Sequence, residues 1–404
     1  MRNTIIYIGN FPYPSKSGVG NRVRQNVLLL KSLGYKVCVI APDEQVGEEM
    51  PLADTKKEID GCDVYFLPTA KSIKQRIFYK KDLQRTQELI KNLNANQEVF
   101  AVFFTGTKFA LFANGVVNFC KKQGIKTVAD SMDWLAIHSH SFLFNVIKRF
   151  DIAFEMRVVN RKADGVLAIS TYLRDYYKKY VKNTIVIPPL FEKNIKNSME
   201  RDESKVIRLV YAGTPFGPNV VCKKPEALKD RLDKTIEYLY KIKTHGIENF
   251  VFDIYGVTEE GYCTAFPWHK GYVDFLGKNV CFHGRVQYSV IEEALGKADF
   301  TLLLRDQNRE TRAGFPSKVG ESITSGTPVI ISDVGDHSLY IQSNTNGFLI
   351  HSDDENRAIE ELKGIFSLDW TTILQIKKNC RQDEQFVYAT YAQQMKTFLE
   401  DLSK

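Results

Sequence analysis

Residues 299–334, DFTLLLRDQNRETRAGFPSKVGESITSGTPVIISDV, decide the fold. The apolar run DFTLLLRD (299–306) ends in a charged loop. A stretch with helical spacing of apolar residues follows over 317–325, and TPVIISDV (327–334) is again apolar and β-branched. Strand, loop, helix, strand in that order is the repeating unit of a mostly parallel sheet.

The same alternation extends in both directions. Upstream lie VIRLVYAG (206–213), a helix over 229–244, NFVFDIYG (249–256), VCFHGRV (280–286) and a helix over 288–297; downstream lies GFLI (347–350). The first half repeats the pattern with TIIYIGN (4–10), a helix over 20–33, KVCVIAP (36–42), VYFLP (64–68), a helix over 80–94, VFAVFFTG (99–106), a helix over 108–122 and KTVADS (126–131). A helical stretch near 138–160, GVLAIS (165–170), a helix over 171–179 and TIVIPP (184–189) complete it. Residues 191–205 are polar and aperiodic, as a linker is. The expectation is an α/β protein of two Rossmann-like domains, 1–190 and 206–384, whose parallel sheets face a central cleft. A C-terminal helix over 385–404, with Phe386, Tyr388, Tyr391, Met395 and Phe398 as its apolar stripe, is expected to cross back to the first domain.

At 404 residues the chain is long enough for two domains of about 100–200 residues each. With 44% hydrophobic and 25% charged residues it has a globular composition, which excludes disordered and collagen-like classes. No apolar run is long enough to span a bilayer, and the N-terminal one is too short for a secretory signal core. Seven scattered cysteines without a C-x-x-C pair suggest neither disulfides nor zinc. These features lead to an expected cytoplasmic location. Charge is uneven: residues 1–190 hold 28 Lys and Arg against 17 Asp and Glu, whereas the remainder holds 27 against 31. The densest basic stretch, KSIKQRIFYKKDLQR (71–85), carries Ile73, Ile77 and Phe78 among six cations. It fits a helix on an anionic inner membrane surface, and equally an ordinary helix with a charged outer face. The basic residues are not interleaved with an aromatic platform, so nucleic acid is not an expected partner.

The chemistry concentrates at the loops following the strands, Gly9–Gly20, Gly213, Gly256, Gly284 and Arg305–Ser317, where an open parallel sheet binds ligands. A helix opening at Ser317, with Ser317 as N-cap hydroxyl, amide N–H groups and the Lys318 ammonium, suits a phosphate. Glu321, one turn further in, can reach a ribose diol; plain capping of the helix start explains the same residues. Gly18 and Gly20 open a helix where backbone can approach a reaction centre closely. Asp130 and Asp133 close the KTVADS strand, where either orients an acceptor hydroxyl, acts as base, or is structural. His138 and His140 lack carboxylates in ligand spacing, so no metal is expected. Ser170 reads as a helix N-cap. Neither a G-x-G-x-x-G nor a G-x-S-x-G motif is present.

AGFPSKVGE followed by SITSGTPVI resembles the E-G-F-G-x-x-x-x-E and G-x-P-V-I signature of glycosyltransferase family 4. Residues 9–42, 209–239 and 282–304 resemble further blocks of that family in the same order. The resemblance implies the GT-B fold, a nucleotide-sugar donor, transfer to an acceptor hydroxyl with retention, and no metal or other cofactor. It further implies that Glu321 binds the donor ribose, that Phe315 belongs to the G-F pair, and that the backbone at Ser317 and Lys318 contacts donor phosphate. By the same resemblance Lys229 pairs with the diphosphate and stabilises it as it leaves, while His283, Gly284 and Arg285 clasp the base. Asp130 and Asp133 resemble acidic residues found in relatives at the same place. The first glutamate of the signature falls at Ala313, and the arginine usual after Gly213 is Thr214; Arg285, Arg305 or Arg312 then supplies the second positive charge. The implied acceptor is a glycan or a lipid-linked sugar in cell-surface polysaccharide assembly. An epimerase or hydrolase of the same fold, and a non-catalytic nucleotide-sugar-binding subunit, are the alternatives.

Overall fold

The computed structural model describes residues 2–14, 18–47, 50–69, 80–106, 110–134, 142–193, 205–217 and 220–404, with 142–144 described by backbone alone. The chain divides into two compact units, Met1–Leu190 with Tyr388–Lys404, and Phe191–Val387.

The first unit is built on eight strands: β1 (Thr4–Gly9), β2 (Lys36–Asp43), β3 (Lys57–Ile59), β4 (Cys62–Pro68), β5 (Val99–Thr105), β6 (Lys126–Ser131), β7 (Gly165–Ala168) and β8 (Asn183–Val186). Their order is β3-β4-β2-β1-β5-β6-β7-β8, and every pair is parallel except β3 on β4. All six residues of β1 are buried, as expected of a central strand covered on both faces. The sequence reading missed β3, a three-residue hairpin arm at the sheet edge that is too short to show a period.

The second unit has β9 (Ile207–Ala212), β10 (Phe250–Tyr255), β11 (Val280–Gly284), β12 (Phe300–Leu303), β13 (Val329–Ser332) and β14 (Gly347–Ile350). They lie in the order β11-β10-β9-β12-β13-β14, all parallel. In chain order this is 3-2-1-4-5-6, which reverses direction between β9 and β12.

Several boundaries differ from expectation. The stretch near 138–160 is the helix Phe142–Phe154 continued by a π turn, Glu155–Val159, and a last turn, Asn160–Lys162; residues 135–141 lie outside the described part. Of the basic stretch 71–85, residues 71–79 lie outside it too, and the rest opens the helix Lys80–Gln97. The final apolar stripe splits. Phe386 packs on Phe315 and Tyr340 in the second unit, whereas Met395 and Phe398 of the helix Ala392–Ser403 join Leu399 and Leu402 in the core of the first.

Gly165 in β7 is what lets that helix lie close to the sheet. A Cβ there would stand 2.6 Å from Phe398 Cζ and 3.2 Å from Leu402 Cδ1. Gly165→Val is therefore expected to destabilise the first unit by about 1–3 kcal/mol in urea unfolding and to make the C-terminal helix protease-sensitive. An unchanged midpoint and an unchanged cleavage pattern would show that the helix gives way freely.

Candidate nucleotide-sugar site

β9 and β12 pair over only two positions, Phe300 with Leu209 and Thr301 with Val210. Just past the carboxyl ends of the two strands four polar side chains meet. Asp230 Oδ1 accepts from Arg305 Nε at 2.9 Å and Nη2 at 2.6 Å, and Asp230 Oδ2 accepts from Lys318 Nζ at 2.8 Å and from the Tyr211 hydroxyl at 3.0 Å. Asp230 and Arg305 are buried, and Lys318 is partly open to solvent.

Local structure explains why they converge. Arg305 stands two residues past the end of β12, and its amide N–H donates to Oγ of Ser332, the last residue of β13. Asp230 sits in the loop before the helix Leu232–Thr244, and the next amide, Arg231 N–H, donates to Leu304 O at 2.8 Å. Lys318 is the second residue of the helix Ser317–Thr324. Gly213 at the end of β9 leaves room for it: a Cβ there would stand 2.8 Å from Lys318 Cε.

Burial alone would push the Asp230 carboxyl up, but Lys318 and Arg305 outweigh it and hold the group well below the ordinary carboxylate range. Burial, then Asp230, pushes the Tyr211 hydroxyl up, so it stays protonated and remains a donor. Two cations against one carboxylate leave the cluster with a surplus positive charge beside a helix N-terminus, an arrangement that suits an anion.

The helix itself begins differently from expectation. Its N-cap is Pro316, with no side-chain cap, and Ser317 is the first helical residue rather than the capping hydroxyl. Glu321 Oε1 accepts from the Tyr288 hydroxyl at 2.6 Å. Burial, then Glu321, raises the Tyr288 hydroxyl far above its ordinary range, so Tyr288 holds the carboxylate as a neutral donor. Phe315 is a core ring, edge-on to His337 and Tyr340, and not a surface for ligand. Lys229 Nζ lies 3.5 Å from Glu310 Oε1, and Ala313 is fully buried.

On the β9, β10 and β11 side of the sheet the strand ends are joined through glycine. Gly213 N–H donates to Tyr255 O, Gly256 N–H to Gly284 O, and Gly284 N–H to Val257 O. Gly256 has φ +96°, and a Cβ there would meet Gly213 O at 2.4 Å, so no other residue fits. The Gly284 amide expected to clasp a base is thus already engaged within the rim. The His283 ring is stacked on Tyr255 with Nε2 2.6 Å from Asp253 Oδ1, and Arg285 is exposed.

In the first unit Asp130 is not placed to act as a base. It is buried, and it receives Arg22 Nε at 2.9 Å and Nη2 at 2.7 Å, the Tyr7 hydroxyl, and Asn26 Nδ2. Arg22 Nη1 continues to Ile187 O at 2.8 Å. Every donor comes from the body of the unit, so the cluster ties the helix Gly18–Ser32 to the sheet. Asp133 stands just past β6, half-buried. A Cβ on Gly18 would meet nothing within 4 Å, and Gly20 is buried inside the first turn of the helix. Ser170 is the N-cap of the helix Thr171–Tyr177 and accepts from Leu173 N–H. Among the described residues no group of three or more His, Cys, Asp or Glu gathers to hold a metal ion. Asp230, Tyr211 and Tyr288 were missed by sequence reasoning. The one available signal was that Asp230 immediately follows the cationic Lys229 in a loop after β9.

Residues 229–383 match the family model for glycosyl transferases group 1, a span that contains Lys229, Asp230, Arg305, Lys318 and Glu321. Among curated proteins none matches the sequence. Solved structures match over nearly the whole chain. Sucrose-phosphate synthase from Thermosynechococcus elongatus is 17% identical over 99% of each chain with a TM-score of 0.66. A glycosyltransferase from Rickettsia africae is 14% identical over 100% of this chain and 99% of its own, TM-score 0.68. HepE of Anabaena, in complex with UDP, is 14% identical over 98% of this chain and 100% of its own, TM-score 0.63. These likenesses show the fold, the GT-B architecture of glycosyltransferases with two parallel-sheet domains.

The Asp230 cluster has a pH signature. Its folded pKa lies below the unfolded value of about 3.9, so the stabilisation is complete above that value and is lost as pH falls through the folded one. Asp230→Asn strands Arg305 and is expected to cost about 3–5 kcal/mol at pH 7. In urea titrations monitored by fluorescence, that gap should narrow below about pH 4. A gap that is constant with pH would mean the carboxylate charge is not what holds the cluster.

Proposed function

We propose that this protein is a retaining glycosyltransferase of family 4, moving a hexosyl group from a nucleotide-sugar donor to an acceptor hydroxyl. One observation carries the reading: a surplus positive charge, fixed by Asp230 at the point where β9 and β12 separate, lies within one helical turn of Glu321. The family-model match over this part of the chain supports it, as does HepE, a protein of the same fold whose structure holds UDP.

In this reading the diphosphate lies against the first turn of the helix Ser317–Thr324, on the solvent-open side of Lys318, with Arg305 behind. Glu321, steadied by Tyr288, receives the ribose hydroxyls. Lys229, on the loop that carries Asp230, adds charge near the leaving group. The anomeric C–O bond to the diphosphate breaks, a bond to the acceptor oxygen forms, and one proton is released. The fixed cations offset the charge that grows on the departing diphosphate, so electrostatics lowers the barrier and the step needs no metal ion. Asp133, at the end of β6, is the remaining candidate to orient the acceptor. The acceptor is a glycan or lipid-linked sugar of cell-surface polysaccharide assembly, met at the inner face of the membrane.

A thermal-shift screen with nucleoside diphosphates and their sugars tests the reading, because a ligand specific for the folded state raises the melting temperature. One base should stand out, and Lys318→Met should abolish its effect. If no nucleotide shifts the melt, the reading is wrong; donor hydrolysis without transfer would point to a hydrolase instead. Glu321→Ala is expected to raise the donor Kd about tenfold, or about 1.4 kcal/mol, in calorimetry. Unaltered affinity would remove Glu321 from the ribose.

A further inference from the structure

The helix Phe142–Phe154 turns apolar side chains to solvent. Phe150 is 77% exposed, Val146 43% and Ile147 37%; the four-residue step from Val146 to Phe150 puts both on one face, with Ile147 beside them. Asp151 of this helix accepts from Ala110 N–H at 2.8 Å and so caps the helix Ala110–Lys122. That contact brings Leu111, 42% exposed, to the same region. Exposed Arg149 and Arg157 flank the apolar face, and Lys148 reaches back to Asp151 at 3.0 Å. Residues 101–190 as a whole hold 13 Lys and Arg against 6 Asp and Glu.

Position matters as much as composition. Helices that connect parallel strands run antiparallel to them, so the first turns of Ala110–Lys122 and Phe142–Phe154 stand at the carboxyl-end rim of β5 and β6. This is the rim at which open parallel sheets bind ligands.

We propose that this face docks on an anionic lipid bilayer, with Phe150, Val146 and Ile147 entering the headgroup–acyl boundary and Arg149 and Arg157 meeting lipid phosphates. The charge decides for lipid: an apolar stripe fringed by cations in a strongly basic region matches a surface that offers hydrocarbon and continuous negative charge together. It is a separate element from the basic stretch 71–85. Binding itself does not depend on the glycosyltransferase reading; only its consequence does, namely that the acceptor is lipid-borne.

Co-sedimentation with phosphatidylcholine vesicles, with and without phosphatidylglycerol, tests the inference on the full chain. The wild-type protein should pellet only with the anionic vesicles and be released by salt. F150D should weaken binding at least tenfold, and R149E/R157E together should do likewise. Both residue sets are exposed, so melting temperatures and nucleotide-induced shifts should stay at wild-type values, which separates failure here from failure of the donor site. Equal vesicle binding by F150D and wild type overturns the proposal. So does a concentration-dependent dimer that F150D dissolves in sedimentation velocity while wild type ignores vesicles, since the face would then be a protein interface.

Discussion

A single buried carboxylate, Asp230, organises the carboxyl end of the second sheet. Without it, the Arg305 guanidinium and the Lys318 ammonium would repel one another in a pocket where charge is poorly screened. With it, both are held at hydrogen-bond distance, and the surplus charge has a fixed address. The loop that carries Asp230 is anchored in turn. Arg231 is paired with Asp233 and Asp306, and Lys234 reaches Asp306 at 2.6 Å and Ser352 O at 3.0 Å. The cluster is therefore held in place by the fold itself.

The first unit uses the same parts to a different end. In each unit the central strand offers a tyrosine hydroxyl to a buried aspartate that also holds an arginine: Tyr7, Asp130 and Arg22 in one, Tyr211, Asp230 and Arg305 in the other. Arg22 directs its remaining donors to the carbonyls of Ile187 and Pro188, so the first cluster is closed and balanced. The second has one cation more, Lys318, and that cation faces partly to solvent. A single lysine separates a balanced ion pair from a cluster with a surplus positive charge.

The strands were legible because buried parallel strands read as unbroken apolar runs, as TIIYIG and TPVII do. The helix at Ser317 was legible from its period, but its cap was not, since a proline and a serine in sequence give no hint which one keeps extended dihedrals. The sequence could not decide between a catalytic and a structural role for Asp130, because a carboxylate at a strand end looks the same whether it faces substrate or an arginine 108 residues away. Asp230 escaped for the same reason, because its partners come from β9, β12 and a helix that only the folded sheet brings together. The helices Glu355–Phe366 and Trp370–Gln382 went unremarked, although Asp354 and Asp369 cap them in the ordinary way.

Charge is distributed against what a long-range view would expect. The candidate donor site lies in the part of the chain where acidic residues outnumber basic ones, 31 against 27, while the excess of cations belongs to residues 1–190. Net charge acts over a Debye length of about 8 Å or more and is screened by salt, whereas contacts inside a half-buried pocket are screened far less. An anion meeting Lys318 and Arg305 would thus rely on short, largely desolvated contacts and would tolerate salt. Attraction to the basic first unit, spread over exposed side chains, weakens as salt rises.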